Sequence, residues 1–266
     1  MKRILLLSIL LGFATTGMFA QQFEVSPSKI MFELEPGTSG TQYITVINKS
    51  SSKKSYIVET SHWTVDAEGA VKYIESVDRR SCLEWMNITP AFFDLGPNET
   101  ERIAINMNVP DTALITKWAM LFVREAVEQT SALAADKTLK TGIVISPSIA
   151  VYIFQTPSSN NSINAAIHDL VKYESPENDA KMVKAMVTNN CDRIIICKVF
   201  LEILDLQTAE ELSVDPIEIM VLPGVSKPVI FELPENMGAG SYDVTALLDY
   251  GNDDELVATQ LELVLE

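Results

Sequence analysis

The chain of 266 residues carries 36 acidic side chains against 20 lysines and arginines, a net charge of −16 at pH 7. This acid excess argues against nucleic acid or anionic lipid as a partner, because both would be repelled by the surface. The length suits two domains of ordinary size, each large enough to bury a core.

Residues 1–20, MKRILLLSILLGFATTGMFA, have the layout of a cleaved secretory signal peptide. Lys2 and Arg3 precede an apolar run, and Ala20 supplies the small residue before the cut. The alternative is a membrane anchor, but the apolar run at 4–13 is too short to span a bilayer. Cleavage would leave 246 of the 266 residues and a net charge of −18, since both charges removed are positive. We therefore expect an exported, soluble protein.

Short β-type runs separated by turn residues fill the chain from residue 23 to residue 157, a spacing typical of β-sandwiches. The predicted strands of this first series are 23–25, 29–34, 42–47, 55–60, 63–65, 92–95, 101–109, 118–123 and the closing stretch 142–154. Helix-like periodicity is confined to 124–140, a polar segment that we interpret as a hairpin tip, with a short helix as the alternative.

The composition of the stretch 158–163 indicates a linker between domains at 21–157 and 164–266. The second series of predicted strands is 164–173, 181–187, 193–204, 218–222, 228–233, 241–249 and 256–265. Such a density of short strands is typical of immunoglobulin-like domains, so the sequence predicts an all-β fold of two immunoglobulin-like β-sandwiches in tandem. Tyr242 opens a strand after a corner, where its hydroxyl is expected to bond to nearby backbone, and Trp118 takes the comparable place in the first domain.

No pattern of catalytic residues emerges from the sequence. The two histidines, His62 and His168, fall in different predicted domains, and no nucleophile elbow, zinc helix or phosphate loop is present. The acidic turn at 249–255 matches no calcium-loop spacing, and solvated turn acids explain it as well. We therefore expect a protein that is not an enzyme and has no metal or cofactor.

The three cysteines do not form a disulfide framework. Cys191 and Cys197 would lie about 20 Å apart on an extended strand at ~3.3 Å per residue, too far to be bridged. Cys82 stands far from both in sequence. Buried free thiols are the expected state of all three.

The most strand-like segment of the chain, GIVISPSIAVYIFQTP at 142–157, contains a proline. Proline cannot donate a ladder hydrogen bond, so Pro147 indicates an edge, a strand start or a bulge. An edge with Ile143 and Ile145 on one face would suit strand addition to a partner chain. An ordinary bulged core strand is the alternative.

Parts of the first domain resemble the periplasmic pilus chaperones, the PapD-like family. Lys29-Ile-Met-Phe32 is similar to that family's first strand, and IAVYIFQTP is similar to its closing apolar run. The resemblance implies that Ile143, Ile145 and Pro147 lend a strand to an incomplete subunit. It also implies that Lys29 takes the place of one of two basic residues that anchor a subunit's carboxylate. The second basic residue of the family is replaced by Tyr152, and an arginine near the closing proline is replaced by threonine.

These observations lead to two hypotheses of function. The first is a non-enzymatic chaperone or assembly factor that binds subunits of an envelope or surface assembly, such as a pilus or fimbria, by strand addition. The second is a permanent structural or accessory component of a cell-envelope assembly. Because exposed edges pair with one another, a homodimer through the same edge is a further expectation.

Overall fold

A computed structural model describes residues 22–66, 69–74, 79–126, 147–175, 180–251 and 256–266 of the chain. The predicted signal peptide and the segment 127–146, which holds Ile143 and Ile145, lie outside the described residues. So does most of the polar segment interpreted as a hairpin tip or helix.

The first domain is a sandwich of two sheets. Its strands are β1 (Phe23–Ser26), β2 (Lys29–Phe32), β3 (Ser39–Asn48), β4 (Lys54–Val65), β5 (Val71–Ile74), β6 (Met86–Thr89), β7 (Phe92–Leu95), β8 (Thr100–Asn108), β9 (Lys117–Glu125) and β10 (Ser148–Gln155). One sheet has the order β1-β3-β8-β6. The other has the order β2-β10-β9-β4-β5, with β7 also paired to β4. A 3₁₀ turn at Leu83–Trp85 precedes β6.

The second domain is also a sandwich. Its strands are β11 (Ala165–Glu174), β12 (Lys181–Asn189), β13 (Ile195–Asp205), β14 (Glu211–Val221), β15 (Ser226–Glu232), β16 (Gly240–Asp249) and β17 (Val257–Leu265). The sheets have the orders β11-β12-β15 and β14-β13-β16-β17. The all-β prediction of two immunoglobulin-like sandwiches in tandem is therefore confirmed. No helix among the described residues has the length and hydropathy needed to cross a membrane.

The cores follow from the alternation of side chains along the strands, because inward positions repeat every second residue. In β8 the inward residues Ile103, Ile105 and Met107 are fully buried between exposed or half-buried neighbours. Tyr242 of β16 is buried, and its hydroxyl donates to the carbonyl of Gly238 at 3.1 Å. The expected tyrosine corner is thus confirmed. All three cysteines carry buried free thiols, as expected.

Three features of the strands differ from the prediction. Residues 55–60 and 63–65 form one continuous strand, β4, because both halves find partners: β9 and β7 first, then β5. The short strands β5 and β6 were not predicted, and unlike the equally short β1 and β7 they contain no buried residue. β14 begins at Glu211, seven residues before its predicted start, and runs through Pro216. Proline is tolerated there because β14 is an edge strand whose described partner is β13.

Candidate functional site

The predicted site residues lie around the point where β2 joins β10. Lys29 and Tyr152 are register partners in the parallel β2–β10 pair, so the two residues are direct neighbours. Pro147 is exposed and immediately precedes β10, which makes it a strand-start proline. Ile143 and Ile145 belong to the segment that the structure does not describe.

One edge of β10 is open along its first half. β9 pairs with β10 over its whole length, from Ser148 to Gln155, whereas β2 pairs with it from Tyr152 onward. Residues 148–151 therefore have a strand neighbour on one side among the described residues. The edge is open there because β1, the strand that precedes β2 in the chain, belongs to the opposite sheet. The chain begins to pair with β10 at Lys29, the first residue of β2.

We call the unpaired edge of β10 beside residues 148–151 the open lane. The backbone direction along β10 shows which groups face it. The N–H of Tyr152 donates to the carbonyl of Ser28 at 3.0 Å, on the β2 side. Since backbone direction alternates along a strand, the N–H and C=O groups of Ser148 and Ala150 point to the same side. Such unpaired groups are a template for another extended chain.

Side chains of β10 divide between two apolar clusters. Val151 and Ile153 are fully buried in the first domain's core, and Ile149 packs against it. Phe154 belongs to a separate cluster between the domains, and Ala150 and Tyr152 pack against that cluster. We call it the cleft cluster; its buried members are Trp63, Trp118, Met120, Phe154, Ile194 and Leu222.

Aromatic rings organise the cleft cluster. The ring centroid of Trp63 lies 5.1 Å from that of Tyr152 and 5.9 Å from that of Phe154, both in edge-on geometry. Edge-to-face contacts of this kind add to the stabilisation from burial. The indole N–H of Trp118 donates to the carbonyl of Trp63 at 2.9 Å. Trp118 therefore hydrogen-bonds to the backbone of another strand, β4. Tyr242, in contrast, hydrogen-bonds to a backbone carbonyl four residues earlier in the sequence.

An ion pair joins the two domains beside this cluster. Arg80 is buried, and its Nη2 lies 2.7 Å from Oδ1 of Asp192 in the second domain. The backbone N–H of Thr116 donates to the carbonyl of Asp192 at 2.9 Å. The hydroxyls of Thr116 and Thr156 also form a hydrogen bond with each other, and both hydroxyls are buried. Thr156, where the family resemblance expects an arginine, is therefore part of the internal hydrogen-bond network.

A second ion pair lies on the surface beside β10, on the β9 side and away from the open lane. Arg124 pairs in register with Ser148 and donates two hydrogen bonds, at 2.6 and 2.8 Å, to the carboxylate of Glu59. The hydrogen bonds from Arg124 hold the pKa of Glu59 below its ordinary value. This pair links β9 to β4 at the surface.

The cleft between the domains contains a cavity of about 190 Å³ next to Lys29 and Tyr152. Its first-domain wall includes Trp63, and its second-domain wall includes Leu222 and Lys227. Sequence reasoning missed Trp63, Arg80 and Lys227 as site residues, because nothing local marks them. They meet the predicted residues only when the two domains pack together.

The described residues hold no group of three or more histidine, cysteine or carboxylate side chains that could bind a metal ion. Part of the acidic turn at 249–255 lies outside the described ranges. Burial raises the pKa of the Cys82 thiol to about 12, so this cysteine is held as an inert thiol. Burial likewise raises the pKa of Cys197 to about 11.

Comparison with known proteins finds similarity at the level of fold. No family model and no curated protein matches the sequence. The class 5 fimbriae chaperone CfaA is 14% identical, with a TM-score of 0.46 over 92% of this chain and 100% of its own. A chain from a chaperone–tip adhesin complex of CFA/I fimbriae is 13% identical, with a TM-score of 0.46 over 91% of this chain and 98% of its own.

A third solved structure is the CsuC–CsuE chaperone–tip adhesion subunit complex from Csu pili of Acinetobacter baumannii. The matching chain is 11% identical, with a TM-score of 0.45 over 90% of this chain and 98% of its own. These neighbours belong to the class that the sequence resembles, and the likeness concerns the fold alone.

Proposed function

We propose that this protein is an exported, periplasmic, non-enzymatic chaperone or assembly factor that binds extended polypeptide segments by β-strand addition at β10. The observation that supports the proposal is the open lane beside residues 148–151, where the backbone groups of Ser148 and Ala150 have no described strand partner. In strand addition, main-chain hydrogen bonds supply affinity and alternate side chains supply specificity. The proposed partners are subunits of an envelope or surface assembly, such as a pilus or fimbria.

The predicted site residues take specific roles in this proposal. Ile143 and Ile145 precede β10 and alternate with polar or smaller residues, and in this proposal they present their apolar side chains to the partner chain. Pro147 is in the same phase and removes one donor at the start of β10. Lys29 and Tyr152 mark the end of the lane, where β2 begins to pair. An incoming strand would therefore stop beside the Lys29 ammonium group.

A proline at position 150 tests the role of the edge. The N–H of Ala150 points into the lane and away from β9, so Ala150→Pro removes the donor that a partner needs and spares the β9 ladder. A photo-crosslinking residue at Ser148, introduced in the native host, should capture an exported polypeptide in the parent protein and not in the Ala150→Pro variant. Edge positions tolerate proline, so the variant should fold.

The matched control is Ala150→Val, which adds bulk and keeps the N–H group. It should retain the crosslink, and its urea unfolding midpoint should lie close to that of Ala150→Pro. If Ala150→Pro crosslinks as well as the parent, strand addition at this edge is wrong. A crosslink between two copies of the chain would instead identify the lane as a homodimer interface.

A permanent structural component of an envelope assembly is the second candidate function. The observation in its favour is the Arg80–Asp192 pair, which together with the cleft cluster ties the domains into a unit suited to a rigid spacer. The two candidates differ in exchange. A chaperone should release labelled partner when unlabelled partner is added in excess, whereas a structural component should keep it at fixed stoichiometry.

A further inference from the structure

The outer face of the sheet β11-β12-β15 in the second domain carries a group of polar side chains. In β12 every second residue from Val183 to Val187 is fully buried, so the alternate residues face outward. Thr188 is one of these outward residues and is partly exposed. Its register partner in β15 is Ser226, and His168 of β11 lies one row away on the same face. Three separate strands therefore bring an imidazole and two hydroxyls together.

Hydrogen bonds connect these side chains in an unbroken series. Nδ1 of His168 lies 2.8 Å from Oδ2 of Asp169, and Nε2 of His168 lies 2.9 Å from the hydroxyl of Thr188. That hydroxyl lies 2.6 Å from the hydroxyl of Ser226. An ionised carboxylate only accepts hydrogen bonds, so Nδ1 of a neutral His168 carries the proton and Nε2 is an acceptor. The Thr188 hydroxyl therefore donates to the imidazole and accepts from Ser226.

The backbone of β11 is shaped for the contact between His168 and Asp169. The register of β11 with β12 shifts between His168 and Val171, and Asp169 in this bulge has a φ of 54°. A positive φ is uncommon for residues other than glycine, and bulges re-aim side chains. On a regular strand two consecutive side chains would point to opposite faces. The bulge instead lets the carboxylate hold the ring in the orientation that leaves Nε2 to Thr188.

Apolar side chains continue the same face beyond the hydroxyls. Met186 and its register partner Pro228 form the next row. Lys184 and Ile230 form the row after that, with Val171 on the other side of Lys184. Ile230 is 39% exposed and Val171 is 43% exposed. An acyl chain that starts at the hydroxyls would lie along these side chains and bury apolar surface.

We infer that Thr188 is a nucleophilic hydroxyl that accepts an apolar acyl group from an ester or thioester with an activated leaving group. Carboxylate, imidazole and hydroxyl have the connectivity of a Ser-His-Asp triad, with threonine in place of serine, and such triads are recognised by geometry and not by sequence position. The site uses no residue of the β10 edge, so it is independent of strand addition.

The reaction is a single acyl transfer to the protein itself. Oγ of Thr188 attacks the acyl carbon, and its proton moves to Nε2 of His168. The Ser226 hydroxyl is the adjacent donor for the oxyanion that forms. The bond to the leaving group then breaks, and the leaving group departs with the electron pair. The product is an O-acyl threonine, one acyl group per chain, which makes Thr188 a modification site.

The test is incubation of the purified mature protein with p-nitrophenyl octanoate, followed by the release of p-nitrophenolate and by peptide mass spectrometry. The parent should carry one octanoyl group at Thr188. A general base contributes about 10²–10⁴-fold to such a step, so His168→Gln should slow the acylation of Thr188 about a hundredfold or more. Asp169→Asn should slow it at least about tenfold, because an amide no longer fixes the tautomer of the imidazole. Thr188→Ser should keep the reaction.

Thr245 of β16 is the control within the same molecule. Its hydroxyl accepts a hydrogen bond from the amide of Gln260 at 3.2 Å, so its described partner is not an imidazole. Its octanoyl content should stay at background. If Thr188 and Thr245 are labelled at the same rate, or if His168→Gln labels Thr188 as fast as the parent does, the inference is wrong. The ¹⁵N spectrum of neutral His168 in the parent should show the proton on Nδ1, and a proton on Nε2 would also overturn the inference.

Discussion

Replacement of Arg80 by methionine tests how strongly the domains are joined. Removing one partner of a fully buried ion pair costs about 3–5 kcal/mol, because the other charge is left buried. Here the Arg80 side chain is 9% exposed but that of Asp192 is 59% exposed, so the remaining carboxylate can regain water. We therefore expect a loss of about 2 kcal/mol in the free energy of unfolding, with the lost contact to the Trp118 ring included.

The matched control is Arg124→Met, which removes the same kind of pair at the surface. The side chains of Arg124 and Glu59 are 37% and 48% exposed, and exposed pairs contribute less than about 1 kcal/mol. Urea unfolding followed by tryptophan fluorescence compares the two variants, and small-angle X-ray scattering compares the domain arrangement. The reasoning would be refuted if both variants lost the same free energy of unfolding, or if Arg80→Met kept the urea midpoint of the parent. Either result would show that burial does not make the Arg80–Asp192 pair important for holding the domains together.

Further predictions concern stability and reactivity. Tyr242→Phe should lower the free energy of unfolding by about 1 kcal/mol, measured in urea, because the backbone carbonyl it serves loses its donor. Since burial raises the pKa of Cys82 to about 12, iodoacetamide at about pH 8 should label this thiol, by mass spectrometry, in urea but not in the folded protein. The pKa of Glu59 is lowered in the folded state. The contribution of its carboxylate to stability is therefore present above the pKa of the unfolded state and is lost as the pH falls through the pKa of the folded state. The stability difference between the parent and Glu59→Gln should thus be below about 1 kcal/mol near neutral pH and shrink in acid.

Each of these predictions has a contrary result. A Tyr242→Phe variant as stable as the parent would show that the hydrogen bond from Tyr242 does not stabilise the domain. Rapid labelling of Cys82 in the folded protein would show that the first domain's core opens readily. A Glu59→Gln difference that grows as the pH falls would contradict the direction of the pKa shift.

Much of the strand pattern was predictable because it is local. Alternation along β8 and β16, turn residues between runs and the corner at Tyr242 depend on neighbours in sequence, and the structure agrees with them. The errors arose where a strand is defined by its partners. The first half of β14 contains Pro216 and little apolar character, so its strand conformation depends on pairing with β13.

The candidate site divides in the same way. The sequence alone pointed to β10, because proline next to an apolar run is a local signal, and it pointed to Lys29 only through the resemblance to the PapD-like family. It could not show that β2 pairs with β10 from Tyr152 onward. That limit depends on where the chain crosses from the sheet of β1 to the sheet of β2. Nor could it bring Lys227 to within one cavity of Lys29, nearly two hundred residues away. Strand periodicity is a property of the chain, whereas an open lane and an interdomain cavity exist only where separate elements pack.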